Sequence, residues 1–301
     1  MAMNEKVILV ITSSFDQTVT YIINQYPCIS FFRFDVDKLN SYEVNINNQG
    51  WSISFNNKVI TNNDIGSIYY RKPTFPDLRE YEASYHSMIH RDILAMINGI
   101  VDVFPGKVLT KPFILRLTEN KVFQLLKASQ YGFIIPSSYI GNDQFKANKY
   151  NQGIIKPLSI GKVQIGDGYE IYQTNIFQGI NEDIGLTPIY VQEYIKKQYE
   201  VRLTIIDQYV YAVRIDTIDQ VDWRNDYENH HYTLIKCPED IIKKCYNMME
   251  DFHIVFGAFD FIVTPNNEWV FLEVNPNGQW LWLEESLHLD ISEKIIEYLT
   301  D

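Results

Sequence analysis

Two apolar runs near the C-terminus each end in side chains that carry oxygen ligands. The first run ends close after Asp260, the second contains Glu273 and Asn275, and a Pro-Asn-Asn turn separates them. A hairpin of this kind would bring the three side chains to neighbouring strand positions. Hard oxygen ligands without Cys or His are typical of a Mg²⁺ site that also holds substrate phosphates. The sequence therefore predicts a magnesium–nucleotide site at this hairpin.

Two earlier segments carry groups that suit the other parts of a nucleotide. Lys156 ends a strand and precedes a loop with three glycines, beginning at Gly161, whose exposed backbone N–H groups could hold phosphate oxygens. Glu193 stands at the edge of a strand and could accept a hydrogen bond from an adenine amino group, with the Tyr194 and Ile195 backbone at the ring edge. The plainer alternatives are a surface hairpin with a solvated lysine and a strand whose outward Glu faces water.

Charged residues at the next strand and loop could act on the phosphates or on a substrate. Glu200 and Arg202 are two apart, so they share one face of a strand, where a carboxylate suits ribose hydroxyls and a guanidinium suits phosphate. Arg214 could bind a substrate carboxylate, and the pair Asp222 and Arg224 offers a base beside a cation. A cross-strand ion pair and a loop of solvated charges remain the alternatives.

Composition limits the class of protein. The chain has 301 residues, 46% of them apolar, and a formal net charge of −12, which argues against non-specific binding to nucleic acid or an anionic membrane. The spacing of its three cysteines fits neither a zinc site nor a disulfide framework. With no long apolar stretch at the start, we expect a cytoplasmic protein that binds neither nucleic acid nor membrane.

Periodicity and turn residues predict an α/β (α+β) chain with two lobes. In the first lobe we expect strands at 7–11, 30–34 and 65–70, a hairpin at 51–60 and a long helix at 81–100. It lacks G-x-G-x-x-G after its first strand, so we assign it no dinucleotide. A boundary is expected at Lys111-Pro112, followed by a helix over 119–130 that Thr118 caps. Further on we expect strands at 154–157, 189–195, 200–206 and 208–215, an irregular segment at 219–232, and helices at 239–253 and 286–299.

The order of these motifs resembles that of the ATP-grasp superfamily over residues 116–301, and residues 1–115 resemble its pre-ATP-grasp domain. The later part would divide into a central or lid subdomain, 116–188, and a C-terminal subdomain, 189–301. Three segments narrow the resemblance to graspetide synthetases, the microviridin- and plesiocin-type ligases that cyclise ribosomal peptides: Tyr70-Arg-Lys-Pro73, Asp222-Trp-Arg224, and Glu273-Val-Asn-Pro-Asn-Gly278-Gln-Trp280. D-Ala–D-Ala ligases usually carry Arg at the position of Ala258, which counts against a dipeptide ligase.

The resemblance implies a role for each matching position. Asp260, Glu273 and Asn275 would bind Mg²⁺, and Arg202 and Arg214 would lie near the phosphates or the acyl group. Asp222 and Arg224 would handle the reacting side chains of the peptide. The residues that would contact ATP are Lys121, Lys156, Gly161, Gln192, Glu193, Tyr194, Ile195 and Glu200.

The activity that the resemblance implies is ATP-dependent peptide macrocyclisation. A Glu or Asp side chain of a ribosomal precursor peptide, with leader and core segments, would be activated as an acyl phosphate and joined to a Thr, Ser or Lys side chain as an ester or amide. The protein would be a homodimer, with a local basic groove that includes Arg71, Lys72, Arg214 and Arg224. The alternatives are an ATP-grasp ligase that joins a free amino acid to a small molecule or protein tail, and a nucleotide-binding module without catalysis.

Overall fold

The computed structural model contains one parallel sheet, several antiparallel sheets and eight α-helices among its described residues. It describes residues 6–159, 162–165, 168–171, 174–181, 185–217 and 230–301. The strands are β1 Val7–Thr12, β2 Phe31–Asp35, β3 Glu43–Asn47, β4 Gly50–Phe55, β5 Lys58–Thr61, β6 Ile65–Tyr70, β7 Lys107–Val108, β8 Ser138–Gly141, β9 Ile154–Lys156, β10 Lys162–Ile165, β11 Gly168–Ile171, β12 Asn175–Ile176, β13 Ile189–Gln192, β14 Tyr199–Ile206, β15 Tyr209–Asp216, β16 His231–Ile235, β17 Phe256–Val263 and β18 Trp269–Asn275. The helices are α1 Gln17–Gln25, α2 Ala83–Val103, α3 Pro112–Thr118, α4 Lys121–Ala128, α5 Gln144–Ala147, α6 Glu239–Phe252, α7 Leu281–Leu287 and α8 Ile291–Thr300.

Contacts divide the chain into two compact units. The first runs to residue 115 and includes 254–256 and 289–301, and the second comprises 116–253 and 257–288. In the first unit the order β2-β1-β6-β7 forms a parallel sheet, and β3-β4-β5 forms an antiparallel one. Nearly every side chain of β1 is buried, as expected of a parallel strand covered on both faces. The assignment of 1–115 and 116–301 as domains stays a prediction.

The second unit is built on two antiparallel sheets and a two-stranded ribbon. The strand orders are β12-β9-β13-β8 for the smaller sheet, β16-β15-β14-β17-β18 for the larger one, and β10-β11 for the ribbon. Phe133, Phe259, Phe261 and Phe271 form a continuous aromatic cluster beside the hairpin of β17 and β18. This packing fixes the hairpin that carries the predicted metal ligands, because aromatic side chains bury large areas in defined geometry.

The predicted α/β class is confirmed, and several predicted boundaries are wrong. Thr118 does not cap the helix that begins at Lys121, because it ends α3. Asn120 is the cap, and its side-chain oxygen accepts hydrogen bonds from the backbone N–H groups of Val122 and Phe123. The single helix expected at 286–299 is two helices, since the chain turns at His288 in the left-handed conformation (φ 54°). Pro112 opens a helix of its own, which its fixed φ favours.

Candidate active site

The β17–β18 hairpin aligns the three predicted metal ligands on one face. Asp260 stands directly opposite Glu273, and Asn275 stands opposite Ala258, two residues before Asp260 on the same strand. Directly opposed residues of an antiparallel pair point to the same side, and so do residues two apart. The prediction that the hairpin brings the three side chains to neighbouring positions is therefore confirmed.

Asp260 is held by the guanidinium of Arg202 on the adjacent strand β14. Nε of Arg202 lies 2.6 Å from Oδ1 of Asp260, and a second guanidinium nitrogen lies 3.3 Å from Oδ2. The remaining terminal nitrogen donates to the backbone carbonyl of Gln279 at 3.1 Å. Both charged side chains are less than 10% exposed. A carboxylate has about four acceptor sites, so pairing with Arg202 is compatible with binding a cation at the same side chain.

The loop after β18 folds back onto the hairpin at Ala258. A Cβ atom on Gly278 would stand 2.5 Å from the Cβ of Ala258, closer than two carbons can approach. The backbone N–H of Asn277 donates to Oδ1 of Asn275 at 3.0 Å and fixes that amide. The close approach to Ala258 therefore leaves no room for a side chain at position 278.

A pocket in the second unit brings together four residues that the sequence analysis assigns to ATP or to metal. Its wall comprises Lys121, Gln124, Leu125, Ala128, Ile135, Pro136, Lys156, Tyr190, Gln192, Phe271, Leu272 and Glu273. Two cationic side chains, a carboxylate and two amides thus share a wall with aliphatic and aromatic surface. Such a combination suits a ligand with a flat apolar ring and an anionic tail.

Gln192 supplies a polar group in this pocket that has no partner among the described residues. Its side chain is 1% exposed, and its Nε2 donates to Oγ of Ser138 at 2.8 Å and to the hydroxyl of Tyr190 at 2.7 Å. Within the described part of the chain its Oε1 accepts no hydrogen bond. A buried acceptor without a donor is costly, and an exocyclic amino group would satisfy it.

Tyr190 is a neutral side chain in the pocket, and the amines of Lys121 and Lys156 are its cationic groups. Burial raises the pKa of Tyr190 to about 12, the Ser138 hydrogen bond lowers it, and the nearby charge of Glu273 adds to the rise. The phenol is therefore neutral at physiological pH. The amine of Lys156 lies 4.8 Å from the centre of the Tyr190 ring, and that of Lys121, in the first turn of α4, donates to the carbonyl of Pro157 at 2.6 Å.

Glu193 bonds to Ser137, and its predicted contact with adenine stays a prediction. Its Oε1 accepts a hydrogen bond from the backbone N–H of Ser137 at 3.1 Å, and its own N–H donates to the Ser137 carbonyl at 2.9 Å. It does not line the pocket, whereas Gln192 does. Strand β13 ends at Gln192, so Tyr194 and Ile195 follow the strand, and their contacts with adenine stay a prediction.

Arg214 lies on the opposite face of the larger sheet from Arg202. The register pairs Arg202 with Val213 and Arg214 with Val201, so the two arginines point to different sides. Arg214 instead bonds Asp216 at 2.7 Å and covers the ring of Tyr199 at 4.1 Å. The hydrogen bond to Asp216 raises the pKa of Arg214. The two arginines therefore lie on different faces of the sheet, and their predicted places near the phosphates or the acyl group stay a prediction.

Glu200 forms a buried ion pair that the sequence analysis missed. Nζ of Lys197 lies 2.6 Å from Oε1 of Glu200, and both side chains are less than 10% exposed. Glu200 shares the face of β14 that carries Arg202, as predicted. The i, i+3 spacing of the two charges is visible in the sequence, but the bend at Gln198 just before β14 is not.

Several predicted residues cannot be assigned to this site. Gly161, Asp222 and Arg224 lie outside the described residues. Arg71, expected in a basic surface groove, is 1% exposed in the first unit and pairs with Asp16 at 3.4 Å.

Among the residues described, no group of three or more His, Cys, Asp and Glu side chains could hold a metal, so the candidate set depends on the amide of Asn275. The same residues contain no helix long and apolar enough to cross a membrane.

Comparisons with solved structures identify the fold. No protein-family model matches the chain, and no curated protein matches its sequence. The structure of the macrocyclase MdnC from Microcystis aeruginosa MRC, bound with precursor peptide MdnA, superimposes with a TM-score of 0.86 at 24% identity, covering 97% of this chain and 99% of that one. A RiPP-associated ATP-grasp ligase from Chryseobacterium gregarium, in complex with ADP and a leader and core peptide, gives 0.81 at 24% identity over 98% and 96%.

A third structure carries both nucleotide and metal. The ATP-grasp ligase PsnB, complexed with a phosphomimetic variant of its minimal precursor, Mg and ADP, gives a TM-score of 0.75 at 16% identity, covering 98% of this chain and 97% of that one. All three likenesses extend over nearly the whole of both chains. The resemblance to the graspetide synthetases is thus confirmed at the level of fold, and the chain has the ATP-grasp fold of these macrocyclases and ligases.

Proposed function

We propose that the protein is an ATP-dependent, ADP-forming peptide macrocyclase. Its substrate would be a ribosomal precursor peptide with a leader and a core, whose Glu or Asp side chains are activated as acyl phosphates. Thr, Ser or Lys side chains of the same peptide would then close ester or amide rings. The observation that carries this proposal is the oxygen-ligand set on one face of the β17–β18 hairpin, with Glu273 shared by the pocket of Lys121, Lys156 and Gln192.

The donor atoms at the site fit Mg²⁺ and ATP. Asp260, Glu273 and Asn275 offer oxygen only, which suits a hard divalent cation that binds through a few protein oxygens and substrate phosphates. The buried acceptor of Gln192 fits the amino group of adenine. When bound, Mg²⁺ would neutralise phosphate charge during phosphoryl transfer.

The first chemical step moves the γ-phosphoryl group of ATP to the peptide. A carboxylate oxygen of the peptide attacks the γ-phosphorus, the bond to the β-phosphate oxygen breaks, and ADP leaves. Lys121 and Lys156 would hold the phosphates by charge, and Arg202 would orient Asp260. Positioning and charge stabilisation are the main contributions that a protein makes to such a transfer.

The second step closes the ring. A hydroxyl or amine of the peptide attacks the acyl carbon, inorganic phosphate leaves, and the nucleophile gives up its proton. Asp222 and Arg224, which lie outside the described residues, stay the predicted pair for this step. A homodimer is part of the same proposal, and size-exclusion chromatography with light scattering would measure it.

Mass spectrometry of peptide products tests the proposal. A candidate precursor, chosen for repeated Thr and Glu or Asp residues in an open reading frame beside the gene, is incubated with the protein, ATP and Mg²⁺. Each ring should appear as the loss of one water with one ATP consumed. ADP formation with free amino acids, and none with peptides, would favour the alternative ligase that joins an amino acid to a small molecule or protein tail.

A further inference from the structure

Strand β18 is the outermost strand of its sheet. Among the described residues no further named strand pairs with its outer row of backbone groups, although Ile134 forms an isolated bridge there. Val274 stands between Glu273 and Asn275 on this strand. Its N–H donates to Oε1 of Gln124 at 2.9 Å, and its carbonyl accepts from Nε2 of Gln124 at 2.7 Å. A primary amide carries the donor and acceptor of a peptide group, so Gln124 takes the place of the missing strand at this one residue.

Gln124 makes a third bond that ties this strand to two helices. Its Nε2 also donates to the carbonyl of Thr118 at 2.7 Å, where α3 ends, while its own backbone belongs to α4. The side chain is 4% exposed. These three partners determine which way the amide points, because both carbonyls need the nitrogen and the N–H needs the oxygen. The buried side chain of Gln124 therefore links Thr118, at the end of α3, and Val274, on β18, to helix α4.

The position of this link matters for the site. Lys121 stands one turn before Gln124 on α4 and lines the same pocket as Glu273. The amide fixes the backbone of the residue between the two ligands of β18 and the helix that carries the lysine. Removing a hydrogen-bond partner that orients a metal ligand lowers metal affinity about 10- to 100-fold.

We propose that Gln124 is a positioning residue for the magnesium site: its amide holds the Glu273–Asn275 segment against α4. The inference rests on the proposed function, because it takes Glu273 and Asn275 as metal ligands. Gln124 lies in the wall of the same pocket, and its proposed effect on the metal passes through the backbone of Val274, to which its amide is bonded.

The test measures metal affinity separately from nucleotide affinity. Gln124→Met keeps the side-chain volume and removes all three hydrogen bonds. We expect Mn²⁺ binding in the presence of ADP, followed by electron paramagnetic resonance, to weaken about 10- to 100-fold. The Mg²⁺ concentration for half-maximal ATP consumption should rise by a similar factor. ADP affinity in the presence of a chelator should fall by a clearly smaller factor than Mn²⁺ affinity, because the amide bonds of Gln124 run to the backbone at Thr118 and Val274.

Two further variants make the outcome interpretable. Val270→Ala creates a cavity on the same strand at a buried residue that does not line the pocket, so it destabilises β18 without touching the amide link. Its metal affinity should be unchanged, which separates positioning from general loss of stability. Glu273→Gln should weaken Mn²⁺ binding, since it removes a proposed ligand.

The outcomes separate the inference from the proposed function. Normal Mn²⁺ affinity in Q124M, together with its loss in E273Q, would overturn the role of Gln124 and leave the magnesium site standing. Normal affinity in E273Q would overturn the magnesium site and the inference with it. If Q124M does not fold, Gln124→Asn serves in its place, because its amide is one methylene shorter and withdraws from Val274 without adding a charge; unchanged Mn²⁺ affinity there would equally refute the inference.

Discussion

Two Arg–Asp ion pairs on the same sheet differ in burial and in the face on which they lie. Arg202 and Asp260 join neighbouring strands at 2.6 Å, and their side chains are 7% and 9% exposed. Arg214 and Asp216 lie two residues apart on one strand at 2.7 Å, and their side chains are 35% and 37% exposed. The register places the two arginines on opposite faces.

The difference in burial indicates which pair belongs to a functional site. Replacing a buried ion pair by packed apolar residues is often neutral or stabilising, so stability alone does not explain why Arg202 and Asp260 are charged. A half-exposed pair contributes about 0–1 kcal/mol and needs no further explanation. We therefore interpret Arg202–Asp260 as part of the catalytic site and Arg214–Asp216 as a surface pair.

Asp260→Asn should give the largest effect. It removes the charge of a proposed metal ligand and leaves the Arg202 guanidinium buried without its counter-ion. We expect ATP consumption to fall at least about 1000-fold, because a metal contributes several kcal/mol to phosphoryl transfer. The free energy of unfolding should fall by about 3–5 kcal/mol, measured by urea denaturation.

Asp216→Asn is the matched control on the other face. It removes the same charge from the exposed pair, and its free energy of unfolding should change by less than about 1 kcal/mol. Equal effects of the two substitutions on ATP consumption and on stability would contradict the distinction between the pairs.

Glu273→Gln should affect activity with little loss of stability. Glu273 is half-buried beside Asp260, and the change keeps its shape and removes only its charge. We expect ATP consumption to fall at least about 100-fold while the melting temperature stays close to its original value. A large fall in melting temperature with near-normal turnover at low temperature would show that the carboxylate serves the fold.

Gln192→Met should reduce the preference for adenine. The change keeps the volume of a buried side chain and removes the acceptor that would meet the adenine amino group. We expect the ratio of kcat/KM for ATP over GTP to fall about 10-fold, the value of one lost hydrogen bond of about 1.4 kcal/mol. Ser138→Ala, which removes one partner of the Gln192 amide, should lower the ratio less. An unchanged ratio in both variants would exclude Gln192 from adenine recognition.

The hairpin with Asp260, Glu273 and Asn275 could be predicted from sequence because its information is local. Apolar alternation defines two strands, the Pro-Asn-Asn turn joins them, and period 2 decides which side chains share a face. The same reasoning placed Glu200 and Arg202 on one face of β14. The order of the motifs along the chain predicts the whole fold, because that order resembles a known superfamily. Periodicity alone predicts single strands and helices.

The features that could not be predicted depend on contacts between distant segments. The bonds from Gln124 to Val274 join residues 150 apart, and nothing near either residue signals them. The face of Arg214 depends on the turn after Ile206, where Asp207 has φ 49°, because a shift of one residue would reverse it. Thr118 and Asn120 are both residue types that favour the N-cap position of a helix. Thr118 belongs to the helix that begins at Pro112, so Asn120 caps the next helix.

Arg214→Met should have the smallest effect and tests the register directly. The change removes the Asp216 ion pair and the contact with the Tyr199 ring, each worth about 1 kcal/mol or less at a half-exposed site. We expect the free energy of unfolding to fall by about 1 kcal/mol, with ATP consumption and ring closure, followed by mass spectrometry, close to normal. Arg202→Met is the matched variant on the other face, and it should lose both activities because Asp260 would lose its partner. If Arg214→Met abolished ring closure while ATP was still consumed, Arg214 would have the catalytic role predicted from the sequence, and the argument from sheet faces would be wrong.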